Sequence, residues 1–323
     1  MPWPIVHLLL FNVELDLLRQ KGEATVKRFQ RLEEIRRMDP HKDASEIYRL
    51  SAAYEFPWDF TRSLELALYR TYAVPSIGRL LAETSELTRR TQKRYDDTTL
   101  LLDAVVEHGF GSPQADTAIR RINQMHRSYD IADDDMRYVL CTFVVMPKRW
   151  IDAYGWRRLS LHETVASAVH YRTLGRYMGI RDVPESYEEF EACLDAYEEA
   201  HFDWDEEARR VSDATLALMA SWYPRPLAPL LRTSTLALLD DHLLGAFRYP
   251  PPNAATRALV RRAVRARGRV VRLLPPRRTP HYARQNWEVK SYPNGYELNE
   301  LGTRPVPGLR GCPVRRANGS AVE

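Results

Sequence analysis

A mainly α fold, a helical bundle, is what this sequence predicts, and three observations carry it. Apolar residues recur at helical spacing through most of the chain, as in SLELALYRTYAV and HETVASAVHYRTLGRYMG. Helix punctuation falls at Pro57, Pro75, Gly109 and Pro113, between those runs. Strand signals are weak: NWEVKSYPNGYELNEL alternates around Asn294-Gly295 and predicts a small C-terminal β-hairpin.

Taken in order, Ile5 to Leu18 (IVHLLLFNVELDLL) is apolar but interrupted by His7, Asn12, Glu14 and Asp16. It falls short of the ~20 apolar residues of a membrane span, and it lacks a basic start and a cleavage site. It reads as a core helix, with a membrane-surface helix as the alternative. Asp43 with Glu46 in DASEIYRL predicts a capping box. EFPWDF breaks at Pro57, and the next helix runs to Pro75. SIGRLLAETSEL then merges into TRRTQKRYDDTTLLLDAVVEHG, which stops at Gly109. Pro113 restarts a helix through AIRRINQMHRSY. YVLCTFVVM has the β-branched composition of a strand, but its setting favours a helix that stops at Met146, before Pro147. HETVASAVHYRTLGRYMG and Pro184 to Glu199 are helices, and Tyr223 to Pro229 is a loop. LLRTSTLALLDDHLLGAF and ATRALVRRAVRARGRVVRLL precede the PPRRTP break. The expected organisation is a helical domain over 1–277 and an extension over 278–323 that ends in a frayed tail.

The chain has 323 residues, 44% of them hydrophobic and 28% charged, enough for a sizeable core and too apolar for disorder. Its three cysteines, Cys141, Cys193 and Cys312, form no CxxC pair. That argues against a structural zinc site or disulfide scaffold and suits a reducing, cytoplasmic compartment. The net charge of +4 is unevenly spread: 18 Lys and Arg stand against 6 Asp and Glu from Arg225 onward, and 29 against 37 before it. The basic end could face nucleic acid, lipid head groups or an anionic ligand, and charge alone does not choose among them.

One histidine stands out. His126 falls among Ile122, Met125 and Tyr129, on the apolar side of its helix. It is either a buried imidazole hydrogen-bonded to a backbone carbonyl or a ligand. On the preceding helix Arg94 and Thr98 share a face. Across the GFGSP turn, Thr98 and His126 lie about 16 and 20 Å along their helix axes, so they sit at comparable heights. A flat cofactor between them would meet a nitrogen ligand on one side and a polar pair on the other, as in a haem pocket. His170 is the reserve ligand; His108 ends a helix, His162 belongs to a first turn, and His242 reads as core or as backing for a site. Arg94 alone could be a surface arginine and Thr98 alone packing. Glu198 and His201 form the one Glu-x-x-His motif, whereas a di-iron site needs two, so Glu198, Glu199 and His201 read as a solvated acidic face. No DDxxD, GxSxG, GxGxxG or GxxxxGK[ST] pattern occurs. Cys141 reads as packing.

Longer stretches go further. EFPWDFTRSLELALYRTYAVPSIGRLL, KRYDDT, AIRRINQMHRSYDIADDDMRYVL, FVVMPKRWIDAYGWRRLS and ALLDDHLLGAF, within Arg36 to Arg277, resemble the family of MpaB-type oxygenases and rubber oxygenase (latex clearing protein), the MpaB branch most closely. The resemblance implies a globin-like helical core and haem b. It implies His126 as the axial ligand, with Arg94 and Thr98 one turn apart on the opposite side as catalytic and cofactor-binding residues. Asn123, a further cofactor-binding candidate, stands where rubber oxygenase has a second histidine, and Asp97 where it has a distal lysine, so a lysine-capped iron is not expected. Only Pro4 to Leu18 stands where fungal members carry a membrane-spanning N-terminus.

The expectation is therefore a haem b oxygenase with O2 as co-substrate and an apolar, unsaturated substrate of prenyl or terpenoid type, with oxidative C=C cleavage as a candidate reaction. Arg94 would bind an oxygen or a carboxylate, and Thr98 would donate or relay a proton. Ile122, Leu101, Leu102 and the EFPWDF aromatics would form the walls. Peripheral membrane contact is the one partner surface expected, and nucleic acid is not. The rivals are a haem carrier or sensor, and a membrane- or nucleic-acid-binding protein using the basic helix from Ala255 to Leu274, which reads more simply as an amphipathic core helix.

Overall fold

A computed structural model describes residues 27–84 and 90–303, and the N-terminal Ile5 to Leu18 segment and the tail lie outside them. The described chain is mainly α, with no strand among the described residues. Its helices are α1 (Gln30–Ile35), α2 (Ala44–Leu50), α3 (Pro57–Thr71), α4 (Pro75–Glu83), α5 (Thr91–His108), α6 (Pro113–His126), α7 (Asp133–Tyr154), α8 (Leu161–Met178), α9 (Tyr187–His201), α10 (Glu206–Ser221), α11 (Ala228–Leu238), α12 (Asp241–Ala246) and α13 (Ala254–Leu273). A π-helical turn, Ser51–Glu55, joins α2 to α3.

The bundle is organised around α7, which packs on α3, α8, α9 and α13. Its residues from Tyr138 to Val145 are almost continuously buried, because neighbours surround it on every side, and this explains the strand-like composition. The helix does not stop at Met146. Pro147 removes one backbone donor, yet Trp150 and Ile151 beyond it are buried and the Trp150 indole donates to Asp59 of α3 at 3.2 Å. Tertiary packing outweighs the ~3 kcal/mol that an interior proline costs. Arg267 of α13 reaches the same Asp59 at 3.0 Å, so three helices share one buried charge pair. Close approach there needs Gly268, where an added Cβ would lie 2.4 Å from the Tyr154 carbonyl. Val260, Val264, Gly268 and Val271 give α13 one inward stripe, and it serves as an amphipathic core helix.

The α5–α6 hairpin turns through Gly109 (φ +73°) and Gly111 (φ +83°), and Ser112 caps α6. The expected capping box of α2 is not made. Asp43 accepts from the Asp39 amide instead, and Glu46 pairs with Arg49. The capping box appears on α8, between Ser160 and Glu163. The run predicted as one helix around Asp240 is two, because Asp240 caps α12. Nor is there a C-terminal hairpin. Residues 292–295 form a turn, but the segment lies along α5 and α6 rather than pairing with itself. Asp103 accepts the backbone amides of Ala283 (2.9 Å) and Arg284 (3.2 Å). Asp96 likewise accepts those of Lys290 (3.1 Å) and Ser291 (2.8 Å). Arg121 of α6 donates to the carbonyls of Leu301 and Thr303, at 2.6 and 2.7 Å. A chain whose donors and acceptors are taken by helix side chains has none left for a ladder.

Candidate active site

Helices α3 to α8 and α10, with residues 281–283 and 303, enclose a cavity of about 550 Å3. That volume suits a small molecule or cofactor. Its wall is overwhelmingly apolar, from Leu64 and Leu68 of α3 through Leu101 and Leu102 of α5, Ile122 of α6, and Leu218 and Met219 of α10. Leu101, Leu102 and Ile122 line it as the sequence predicts. Of the EFPWDF aromatics, Phe60 reaches the wall and Phe56 and Trp58 do not.

His126 lines the cavity from the last residue of α6, not from mid-helix. A protonated histidine at a helix C-terminus gains about 0.3–1 kcal/mol from the dipole. Burial, foremost, and the Arg94 guanidinium outweigh that and push His126 down to about 4, so the imidazole is neutral near pH 7. Its Nδ1 is buried with no hydrogen-bond partner among the described residues. The reading as a satisfied core histidine needs a backbone carbonyl to accept from the ring, and none does so at Nδ1. A buried ring nitrogen left unpaired costs about 1–3 kcal/mol.

Arg94 and Thr98, on α5, line the same cavity. Arg94 Nη1 donates to Thr98 Oγ1 at 3.0 Å, and Thr98 donates its own hydrogen to the Arg94 carbonyl at 3.0 Å. The hydroxyl is thus spent on orienting the arginine. No carboxylate among the described residues pairs with Arg94, so its charge is available to the cavity. Asn123 is placed differently: its amide donates to the Tyr177 carbonyl of α8 at 2.9 Å, and it is not among the lining residues. Asp97 is buried away from the cavity, bonded to Lys93 (2.7 Å) and to the Tyr292 hydroxyl.

His170, from α8, is a second neutral imidazole in the wall, pushed down to about 3 by burial. Its ring stacks on Tyr48 at 4.3 Å, and its Nδ1 too lacks a partner among the described residues. His281 also lines the cavity, with its Nε2 held by Asn286 at 2.8 Å. Sequence reading missed four acids of the wall, Glu65, Asp103, Asp130 and Asp135. The one signal for Glu65, Asp103 and Asp135 is position, within the helical stripes of α3, α5 and α7, and Asp130 lies in the connection between α6 and α7.

Two expectations are corrected outside the cavity. Glu198 is not solvated: it is 4% exposed, continues the Phe190–Leu194 stripe of α9, and is clasped by Arg70 of α3. Arg70 also pairs with Asp240, and the Tyr138 hydroxyl donates to Glu198 at 3.1 Å. His201 points outward against Tyr197, so the ends of the Glu-x-x-His motif do not converge. His242 is exposed, against Phe202, rather than core. No group of three His, Cys, Asp or Glu among the described residues is arranged to hold a metal ion. No helix among them is long and apolar enough to cross a membrane.

Residues 60–272 match the family described as ER-bound oxygenase mpaB/B'/Rubber oxygenase, catalytic domain. ER-bound oxygenase mpaB' of Penicillium brevicompactum is 30% identical over 263 residues, 76% of this chain and 62% of that protein. ER-bound oxygenase mpaB of Penicillium roqueforti (strain FM164) is 30% identical over 226 residues, 64% of this chain and 76% of that protein. The mpaB of Penicillium brevicompactum is 28% identical over 277 residues, 79% and 70% of the two chains. This chain thus spans less than two thirds of the length of mpaB'. The match takes in α4 to α12 whole and most of α3 and α13, including the α5–α6 hairpin that carries Arg94, Thr98 and His126, and the chain belongs to the mpaB/rubber oxygenase catalytic-domain family.

Proposed function

We propose that this chain is a haem b-dependent oxygenase that uses dioxygen on an apolar, unsaturated chain of prenyl or terpenoid type, with oxidative C=C cleavage as the reaction. The observation that carries the reading is the pairing of a half-buried, neutral His126, whose buried Nδ1 is unspent, with an Arg94 that no carboxylate among the described residues pairs, in one apolar cavity. Relatives named as oxygenases support the reaction class. The donor set fits the cofactor, because neutral imidazole is a usual haem iron ligand and apolar walls suit a porphyrin. Haem bound there would supply the dioxygen chemistry.

The chain's own residues do the rest. His126 would hold the haem iron. Arg94 offers charge-assisted donors to an oxygen atom of dioxygen or of the substrate, and Thr98 keeps the guanidinium aimed. Leu64, Leu101 and Leu218 exclude water and hold an apolar chain by dispersion. Such a substrate reaches the protein most readily from a membrane surface, so peripheral membrane contact belongs to this reading and nucleic acid does not.

The test is haemin titration of the purified protein, read by absorbance. The parent should gain an intense band near roughly 400 nm, as porphyrins do. His126→Ala should lose it, His170→Phe should keep it, and dioxygen uptake with an isoprenoid probe should follow the band. Equal haem binding by parent and His126→Ala removes His126 as the ligand, and haem binding without uptake leaves a carrier or sensor.

A further inference from the structure

Arg62 of α3 stands between two buried carboxyl groups. Its Nη1 is 3.1 Å from Glu65, one turn along the helix, and its Nη2 is 3.1 Å from Glu288 of the C-terminal segment. The two glutamate side chains are only 9% and 7% exposed. Two carboxyls sharing one guanidinium in a water-poor wall leave one negative charge in excess, and retaining a proton is the least costly relief. Glu65 is the carboxyl that lines the cavity, and Tyr95 of α5 lines it beside Glu65. The Tyr95 hydroxyl donates to Glu65 Oε1 at 2.7 Å. Trp222 rests against the Tyr95 ring at 4.9 Å and is fixed by its indole bond to Gln92, so the phenol has little room to turn away. The charged and titratable groups around this cluster are Arg62, Glu288, Tyr95 and Tyr223. Burial first, then Glu288, raise the Glu65 carboxyl to about 7 against the pull of Arg62 and Tyr95.

We propose that Glu65 and Tyr95 are a proton-exchanging dyad of the cavity, able to give one proton to a bound molecule or take one from it. With Glu65 ionised, the Tyr95 O–H points at the carboxylate, and the phenol offers its lone pairs to the cavity. With Glu65 protonated, the bond reverses: the carboxyl donates to the phenol oxygen, and the phenol O–H turns to the cavity. In the forward direction a bound molecule takes the Tyr95 proton, Tyr95 takes that of Glu65, and the carboxylate is left beside Arg62. One proton moves and no electrons do. Arg94 is a donor fixed in its charge, so it cannot fill this role. The inference rests on the reading of this cavity as the reaction chamber, but not on which cofactor it holds.

Infrared titration of the cofactor-free protein tests it directly, with helical circular dichroism as the check on folding. The parent should show a protonated-carboxyl stretch that titrates near neutrality and is missing from Glu65→Gln. Tyr95→Phe should keep that band at a shifted frequency, having lost one hydrogen bond. Glu288→Gln should lower its midpoint by about a unit or more, because Arg62 then serves a single carboxylate. Asp103, raised to about 6, titrates in every variant and serves as the internal reference. A parent spectrum matched by Glu65→Gln, or an unmoved midpoint in Glu288→Gln, overturns the proposal. With cofactor and substrate, the neutral limb of the rate–pH profile should vanish in Glu65→Gln, with kcat falling more than KM changes. Loss of haem binding or dioxygen uptake in the parent would instead sink the functional reading while the infrared result stood.

Discussion

Replacing His170 with Phe should make the protein less sensitive to acid, by an amount that the structure sets. His170 is held neutral at about 3 when folded, against an ordinary value of 6.5. A histidine depressed in the folded state contributes stability that is complete above its unfolded pKa and is lost as pH falls toward the folded one. At pH 5 the folded chain still holds the ring neutral while the unfolded chain has protonated it. The loss is about 1.5 pH units at 1.36 kcal/mol each, or about 2 kcal/mol, and any folded value below about 4 gives the same figure. His126, at about 4, loses a similar amount. Glu65 and Asp103, raised to about 7 and about 6, act in the opposite sense, gaining relative stability as pH falls below those values. The parent curve alone is therefore nearly flat and uninformative, and the informative quantity is the gap between parent and variant. Phe keeps the aromatic stack on Tyr48 and costs at most about 1.5 kcal/mol of repacking, independent of pH. Urea unfolding at pH 7.5 and pH 5, at equal ionic strength and read by helical circular dichroism, measures both gaps. The variant should gain about 2 kcal/mol on the parent between the two, a large part of a 5–15 kcal/mol total. An equal gap at both pH values would mean that His170 protonates in the folded state, and the argument for two neutral imidazoles would fail.

Thr98→Val should keep the fold and the haem but lower dioxygen uptake by about tenfold or more through loss of Arg94 alignment, while Thr98→Ser restores it; uptake unchanged in Val would free Arg94 of that tether. Glu198→Gln should cost about 1–3 kcal/mol in denaturant unfolding, because it leaves the buried Arg70 with Asp240 as its one carboxylate partner among the described residues. A loss under about 1 kcal/mol would restore the solvated reading of the motif. His126→Ala, the decisive variant for the cofactor, should abolish the porphyrin band without unfolding the chain.

The helices were legible wherever one face of a segment carries the apolar residues, as in α3 and α8. Where every face is buried, period says nothing, so α7 looked part strand and its continuation past Pro147 could not be read; Asp59 and Arg267, the partners that hold it, lie far off in sequence. Asn294-Gly295 is a sound turn signal, but a hairpin needs free backbone groups on both arms, and α5 and α6 take them. Within the site, helical heights set Arg94, Thr98 and His126 at one level and the family resemblance singles them out, and all three line one cavity. Glu198 and Glu65 were not legible, since the setting of Glu198 depends on Arg70 of α3 and that of Glu65 on Tyr95 of α5, partners that sequence does not place beside them. Asn123 marks the limit of position-by-position transfer: the same turn of helix, with its side chain on the neighbouring helix instead.

The C-terminal segment is held chiefly through its main chain, and that sets how the two sides can vary. Asp96 and Asp103 accept backbone amides at positions 283, 284, 290 and 291, which any residue but proline supplies. The side chains at those four positions can therefore drift among homologues, Arg284 excepted for its pair with Glu107 (2.7 Å), without loosening the cover. The helix has no such freedom. Of α5's faces, one presents Arg94 and Thr98 to the cavity and another spends two buried aspartates on the cover. A charge lost from that second face would uncouple the wall of the cavity from its lid while leaving every lid residue in place.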